Sequence, residues 1–228
     1  MRQRSLSVVP LAVPAVLVLA LGLQMAWQRW APPPRAGTAL LEAPPALALL
    51  RLSALGDPIA LSRLLMFHVQ AADQGRGISQ LDYNSLEQWL TRISDLDPRA
   101  QYPLRVATHL YAEVDDPAKK RRMLEFIYQR FTQDPNRRWP SLAHAVIVAK
   151  HGLHDLPLAR RYAAAIGLQA TGPGVPHWAR QMEVFILEDM NEIESAKILL
   201  GGMIASGQVS DPRERRFLLE RLKKMEAK

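Results

Sequence analysis

The residue types that could do chemistry are few, and their spacing brings almost none of them together. The chain has 228 residues and no cysteine. That excludes thiolate zinc sites, iron–sulfur clusters, disulfide scaffolds and cysteine nucleophiles. The histidines are His68, His109, His144, His151, His154 and His177. His144 and His151 fall on one expected helix, but two turns hold them about 10.5 Å apart, too far to share a metal. His151 and His154 straddle Gly152 at an expected helix end, and only Asp155 lies nearby as a third ligand. His151 reads better as a residue that satisfies the last carbonyls of a helix.

Asp115 and Asp116 are neighbours, so their carboxylates do not converge on one substrate. Just before a helix start, their charge stabilises the free N–H groups of the first turn. Gly75 and Gly77 form a G-R-G connector without the helix start that a phosphate-cradling loop needs. The P-loop, the dinucleotide-binding glycine pattern, H-E-x-x-H, the EF-hand loop and the G-x-S-x-G elbow are absent from the sequence. The expectation is a non-catalytic protein with no catalytic residue, no cofactor and no metal site. The alternative is an enzyme whose site is assembled from distant residues, and no nucleophile–base pair or metal cluster supports it.

Basic and aromatic residues remain. Lys119, Lys120, Arg121 and Arg122 form a KKRR run, a candidate electrostatic patch for anionic headgroups or an acidic partner. The stretch from Arg213 to Lys228 holds seven basic residues against Glu214, Glu220 and Glu226. Trp89, Trp139 and Trp178 occupy corresponding places in successive helix pairs, where packing is the expected role. Trp139 is flanked by Arg137, Arg138 and Pro140. Trp139, Arg137 and Arg138 are the candidate partner-binding patch, because they join a large apolar surface to two hydrogen-bond donors.

These residues must be positioned by a chain of uneven composition. The formal net charge is +7. Arg2, Arg4, Arg29 and Arg35, with no acid among residues 1–35, account for +4 of it, and the remaining residues are close to balanced. That argues against nucleic acid as a partner, since a nucleic-acid binder concentrates its excess charge on the folded body. No small-molecule substrate is evident.

Residues 5–28, between Arg4 and Arg29, carry no formal charge. As a helix they would span about 36 Å, against a hydrocarbon core of about 30 Å. Pro10 suits the first turns, whereas Pro14 would kink the span. Residues 1–30 are therefore expected to be an uncleaved signal-anchor that contacts the lipid bilayer. Trp27 and Trp30 would lie at its interface. The short basic N-terminus favours N-in, C-out. In a Gram-negative bacterium that means the inner membrane, with a cytoplasmic N-terminus and a periplasmic domain. An exported soluble protein after signal cleavage is the alternative. Residues 31–45, with five prolines, read as a linker.

From residue 46 the pattern is helical. Leu86, Trp89, Leu90 and Ile93 form an apolar stripe, as do Met123, Phe126, Ile127 and Phe131. Trp178, Met182, Phe185, Ile186 and Met190 form another, and Ile193, Ala196, Leu200 and Ile204 a fourth. Asp-Pro at Asp57, Asp97, Asp116, Asp134 and Asp211 marks helix starts and stops. The spacing predicts helices over 46–55, 58–73, 83–96, 101–114, 117–132, 138–151, 156–167, 176–189, 191–206 and 212–226. The segments ending at Pro98 and Pro135 repeat at a spacing of 37 residues, the period of a two-helix repeat.

Across residues 83–206 the chain resembles the tetratricopeptide repeat family. Leu86, Leu90 and Pro98 match the spacing of that family's second helix, and so do Met123, Ile127 and Pro135. Ala196 and Leu200 match in part, with Val209 near the proline position. The Leu-Gly and Tyr signature of the family's first helix has no counterpart here. The resemblance implies an all-α fold of antiparallel helix pairs stacked as a short α-solenoid, preceded here by one transmembrane helix. It also implies a scaffold, assembly or protein-docking role in the cell envelope, with one or more protein partners in a membrane complex.

Overall fold

The computed structural model describes residues 12–30, 41–74, 77–206 and 211–226. The linker residues 31–40, residues 5–11, Gly75 and Val209 lie outside them. The chain divides into two compact units, Met1–Thr38 and Ala39–Lys228.

In the first unit, α1 runs from Ala12 to Trp30. Every side chain from Ala12 to Trp27 is exposed. Pro14 lies in its first turn, where the missing N–H costs little. Among the described residues no helix is long and apolar enough to cross a membrane. The helix within those residues is about 28 Å long and ends on Gln28, Arg29 and Trp30. The expected transmembrane helix is therefore not supported by the described part of this run.

The second unit is helical throughout its described residues. Its elements are α2 (Leu47–Ser53), α3 (Pro58–Gln74), α4 (Tyr83–Leu96), α5 (Tyr102–His109) and α6 (Pro117–Gln133). Then come α7 (Pro135–Ile147), α8 (Leu156–Gln169), α9 (His177–Arg180), α10 (Met182–Asp189), α11 (Ile193–Ala205) and α12 (Pro212–Glu226). Aspartates set the starts. Asp116 accepts from the Ala118 and Lys119 N–H groups, Asp82 from Asn84 and Ser85, and Asp155 from Leu158. Asp134 stands between α6 and α7, so one Asp-Pro stops a helix and starts the next. Residues 41–45, read from sequence as linker, are partly packed. Leu41 is buried, and the Glu42 carbonyl accepts from Trp89 Nε1 at 2.6 Å.

Helices pack mainly on neighbours in the chain, with α4 also against α6 and α5 against α7. The starts of α4, α6, α8 and α11, at Tyr83, Pro117, Leu156 and Ile193, lie 34, 39 and 37 residues apart. Polar fasteners repeat with nearly that period. Arg122 pairs with Glu87 at 2.6 Å and Arg130 with Asp95 at 2.7 Å, tying α6 to α4. Arg161 pairs with Glu125, tying α8 to α6. Lys150 reaches Asp189 at 2.5 Å, and Arg221 reaches Glu188 at 2.6 Å.

Two apolar clusters result. The larger is centred on Leu86, Leu90, Met123, Phe126, Phe131 and Tyr162, and it includes Trp89 at 7% exposure. The smaller joins Val184, Leu187, Ala196, Leu200, Leu218 and Met225. Helix α10 serves both, because Ile186 faces the larger cluster. Trp178 corrects the sequence reading: it is 54% exposed. The expected continuous helix over 176–189 breaks at Gln181, between α9 and α10, and the break puts Trp178 out of phase with the stripe that follows.

Candidate functional site

The structure separates the residues singled out from sequence into a fastened set and an open set. The KKRR run belongs to the first. Lys119 Nζ donates to the Ser79 carbonyl at 2.7 Å and lies over the Tyr83 ring. Lys120 is 8% exposed. Its ammonium occupies the space a side chain at Gly152 would need, since a Cβ there would stand 2.9 Å from Nζ. That position is the end of the π-helical turn Val148–Gly152 that extends α7, and the negative end of a helix favours a cation. Arg121 pairs with Asp155 at 2.7 Å. Arg122 holds Glu87, and also Asn84 Oδ1 at 2.7 Å. The run is thus not a free electrostatic patch; its charges tie α6 to α4 and to the start of α8.

Asp155 shows the same division of labour. The Leu158 N–H, with Arg121, holds its carboxyl below the usual carboxylate range.

Trp139 is half-buried against the larger core and meets Trp178 edge-to-face, with centroids 5.5 Å apart. Arg138 is 7% exposed. Its guanidinium donates to the Arg130 carbonyl at 2.5 Å, the Pro98 carbonyl at 3.0 Å and Gln133 Oε1 at 3.1 Å. Two of these partners are the ends of other helices, so Arg138 is a structural bolt rather than a free donor. Burial pushes its guanidinium below the usual arginine range, and the nearby Arg130 adds to that. Arg137 is exposed and pairs with Asp134 of its own turn at 3.3 Å.

What the sequence reading missed is the neighbour across from these arginines. A cleft of about 240 Å³ opens between α5 and α7, and Arg105, His109, Arg137 and Arg138 line it. Leu104 and Pro140 supply apolar surface. Among the described residues, none of its lining side chains is a carboxylate. Arg105 and His109 are one turn apart on α5, and both are exposed. No carboxylate among the described residues lies within ion-pair distance of Arg105.

The His109 ring meets His144 of α7 at 4.2 Å between centroids, and His144 Nε2 lies 3.2 Å from Glu113 Oε1. Loss of solvation lowers the His109 pKa, and the charges of His144 and Arg105 add to this against the opposing effect of Glu113. The 35 residues between His109 and His144 match the helix-pair period, which is the signal that could have found the pair.

The arrangement can hold an anion. It presents the exposed guanidinium of Arg105, which no carboxylate among the described residues pairs, beside Arg137, whose contact with Asp134 is a long 3.3 Å, over a small apolar floor. No protein family, curated protein or solved structure matches the chain.

Proposed function

We propose that the chain is a membrane-anchored helical-repeat docking protein of the cell envelope, built like a tetratricopeptide solenoid, that receives an acidic segment of a protein partner in the α5–α7 cleft. The observation that carries the reading is the cleft itself, lined by three arginines and a histidine without a carboxylate. The repeated fasteners between helices about 35 residues apart support a scaffold, since they tie α4, α6 and α8 into one stack. Anchoring through residues 5–28 is supported by two facts. The side chains of α1 from Ala12 to Trp27 are all exposed, and the uncharged run begins at Ser5, before the first described residue. On this reading the inner membrane of a bacterium holds the N-terminus inside and the helical domain in the periplasm.

A photo-crosslinking residue placed in cells at Gln101 or Ser141, on the rim of the cleft, tests it. A discrete protein adduct is expected, sedimenting with membranes after an alkaline wash. The pair Arg105→Glu and Arg137→Glu should abolish it, with the helical signal of the protein unchanged. An adduct that survives both substitutions removes the cleft as the docking site.

A further inference from the structure

Helix α12 carries a second cationic surface of a different kind. Its inward stripe is Glu214, Leu218, Arg221, Leu222 and Met225. Leu218 and Met225 are buried in the smaller core, and Glu214 accepts from Gln181 Nε2. Arg221 grips Glu188 with two hydrogen bonds, at 2.6 and 3.0 Å, and its guanidinium lies over the Phe185 ring at 4.3 Å. These contacts fix the rotation of the helix and therefore fix what faces outward. The outward stripe is Arg213, Arg216, Phe217, Glu220, Lys223 and Lys224, at helical steps of 0, 3, 4, 7, 10 and 11. Phe217 is 50% exposed, and Leu219 on the flank is 40% exposed. Among the described residues, no ion pair engages Arg213, Arg215, Arg216, Lys223 or Lys224.

We propose that this face of α12 docks on an anionic phospholipid surface. Four cations with one aromatic side chain standing among them is the chemistry of a helix lying in the headgroup layer. The cations meet lipid phosphates and Phe217 enters the acyl boundary. An acidic peptide fits less well. The hollow beside the stripe, about 260 Å³, is lined by Glu188, already paired with Arg221, and takes only Lys224 from the unpaired cations, so it offers an acidic strand no converging set of donors. The unpaired cations instead spread along the exposed face of α12 from Arg213 to Lys224, as a flat charged surface requires. This goes beyond the docking role of the α5–α7 cleft, which lies on other helices.

The absence of cysteine makes the test site-specific. Leu219→Cys in the full chain, held in phosphatidylcholine nanodiscs, takes a single environment-sensitive fluorophore. The label reports α12 alone, whatever the N-terminal run does. Added vesicles with about 30% phosphatidylglycerol should shift its emission to the blue. Phosphatidylcholine vesicles should not. About 0.5 M NaCl should reverse the shift. Arg213→Glu with Arg216→Glu should weaken vesicle binding about tenfold or more while leaving the circular dichroism unchanged. Equal shifts with neutral and anionic vesicles, or no shift with either, overturn the proposal. Saturation by inorganic phosphate alone would reduce the surface to an ion site. A shift with polyglutamate but not with vesicles would assign the face to an acidic protein.

Discussion

At the start of α6, Lys119, Arg121 and Arg122 each meet a partner on another element, whereas among the described residues no ion pair engages Arg105 or His109 across the α5–α7 cleft. The local sequences do not reveal this difference. KKRR is the densest basic run in the chain, while Arg105 and His109 are isolated. The difference lies about one helix pair away. Glu87 stands 35 residues before Arg122, and Asp155 stands 34 residues after Arg121. Among the described residues no acid pairs with Arg105 in this way. In a stacked-helix fold, a charge is free when its counterpart one repeat away is not an acid. Arg138 sharpens the contrast, because it lines the open cleft yet is bonded like a member of the fastened set.

The largest effect should therefore come from Arg138. Truncating it to Ala leaves the buried Arg130 carbonyl and the partly buried Pro98 carbonyl without this donor. Each orphaned acceptor costs about 1–3 kcal/mol, so the domain should lose about 2–4 kcal/mol in urea unfolding. Arg138→Lys should recover only part of this, since an ammonium cannot reproduce the fork. A loss below about 1 kcal/mol would return Arg138 to the free cations, and the contrast would fail there.

Arg122→Ala should have a smaller effect. Its side chain is 45% exposed and that of its partner Glu87 is 27% exposed. A pair of that kind contributes about 0.5–1 kcal/mol. The crosslink from Ser141 should be unchanged, because Arg122 does not line the cleft. A selective loss of the adduct with the fold intact would mean that the KKRR run meets the partner after all.

The helices of the second unit were legible in the sequence because local chemistry sets their ends. The start expected at Asp116-Pro117 coincides with that of α6, whereas α7 begins at Pro135, three residues before the expected 138, because Asp134-Pro135 starts a helix as well as stopping one. The core stripe of Met123, Phe126 and Phe131 is buried, since one helix with one apolar face allows little else. Trp178 was misplaced because a single break at Gln181 rotates the following stripe, and no proline or glycine announces it. The site was only half legible. Arg137 and Arg138 stood out beside Trp139, but the opposite wall comes from a helix some 30 residues earlier, and pairing across helices is a tertiary fact. The availability of each cation was not legible, since it depends on partners at that same separation.

The smallest effect concerns His109, and it tests the cleft without removing a guanidinium. The groups facing its ring are Arg105 on its own helix, His144 and Arg138 from α7, and Glu113 from the 3-10 turn Tyr111–Glu113. Its pKa in the folded protein lies below the ordinary value, so the fold favours the neutral ring at neutral pH. A depressed pKa contributes stability that is present above the unfolded value, near 6.5, and lost as pH falls through the folded value. An acidic occupant acts in the opposite sense, because its carboxylate favours the imidazolium. Lowering the pH from about 7.5 to about 5.5 should thus weaken the free domain slightly while strengthening capture. His109→Gln should flatten both trends, read as the urea midpoint and as crosslink yield from Ser141 at the two pH values. His144→Gln should shift both trends without abolishing them, since it removes one charge that depresses His109 but leaves the titrating ring in place. Should the wild type and His109→Gln show the same pH dependence of crosslinking, the titrating group lies outside the cleft, and the cleft binds through its arginines alone.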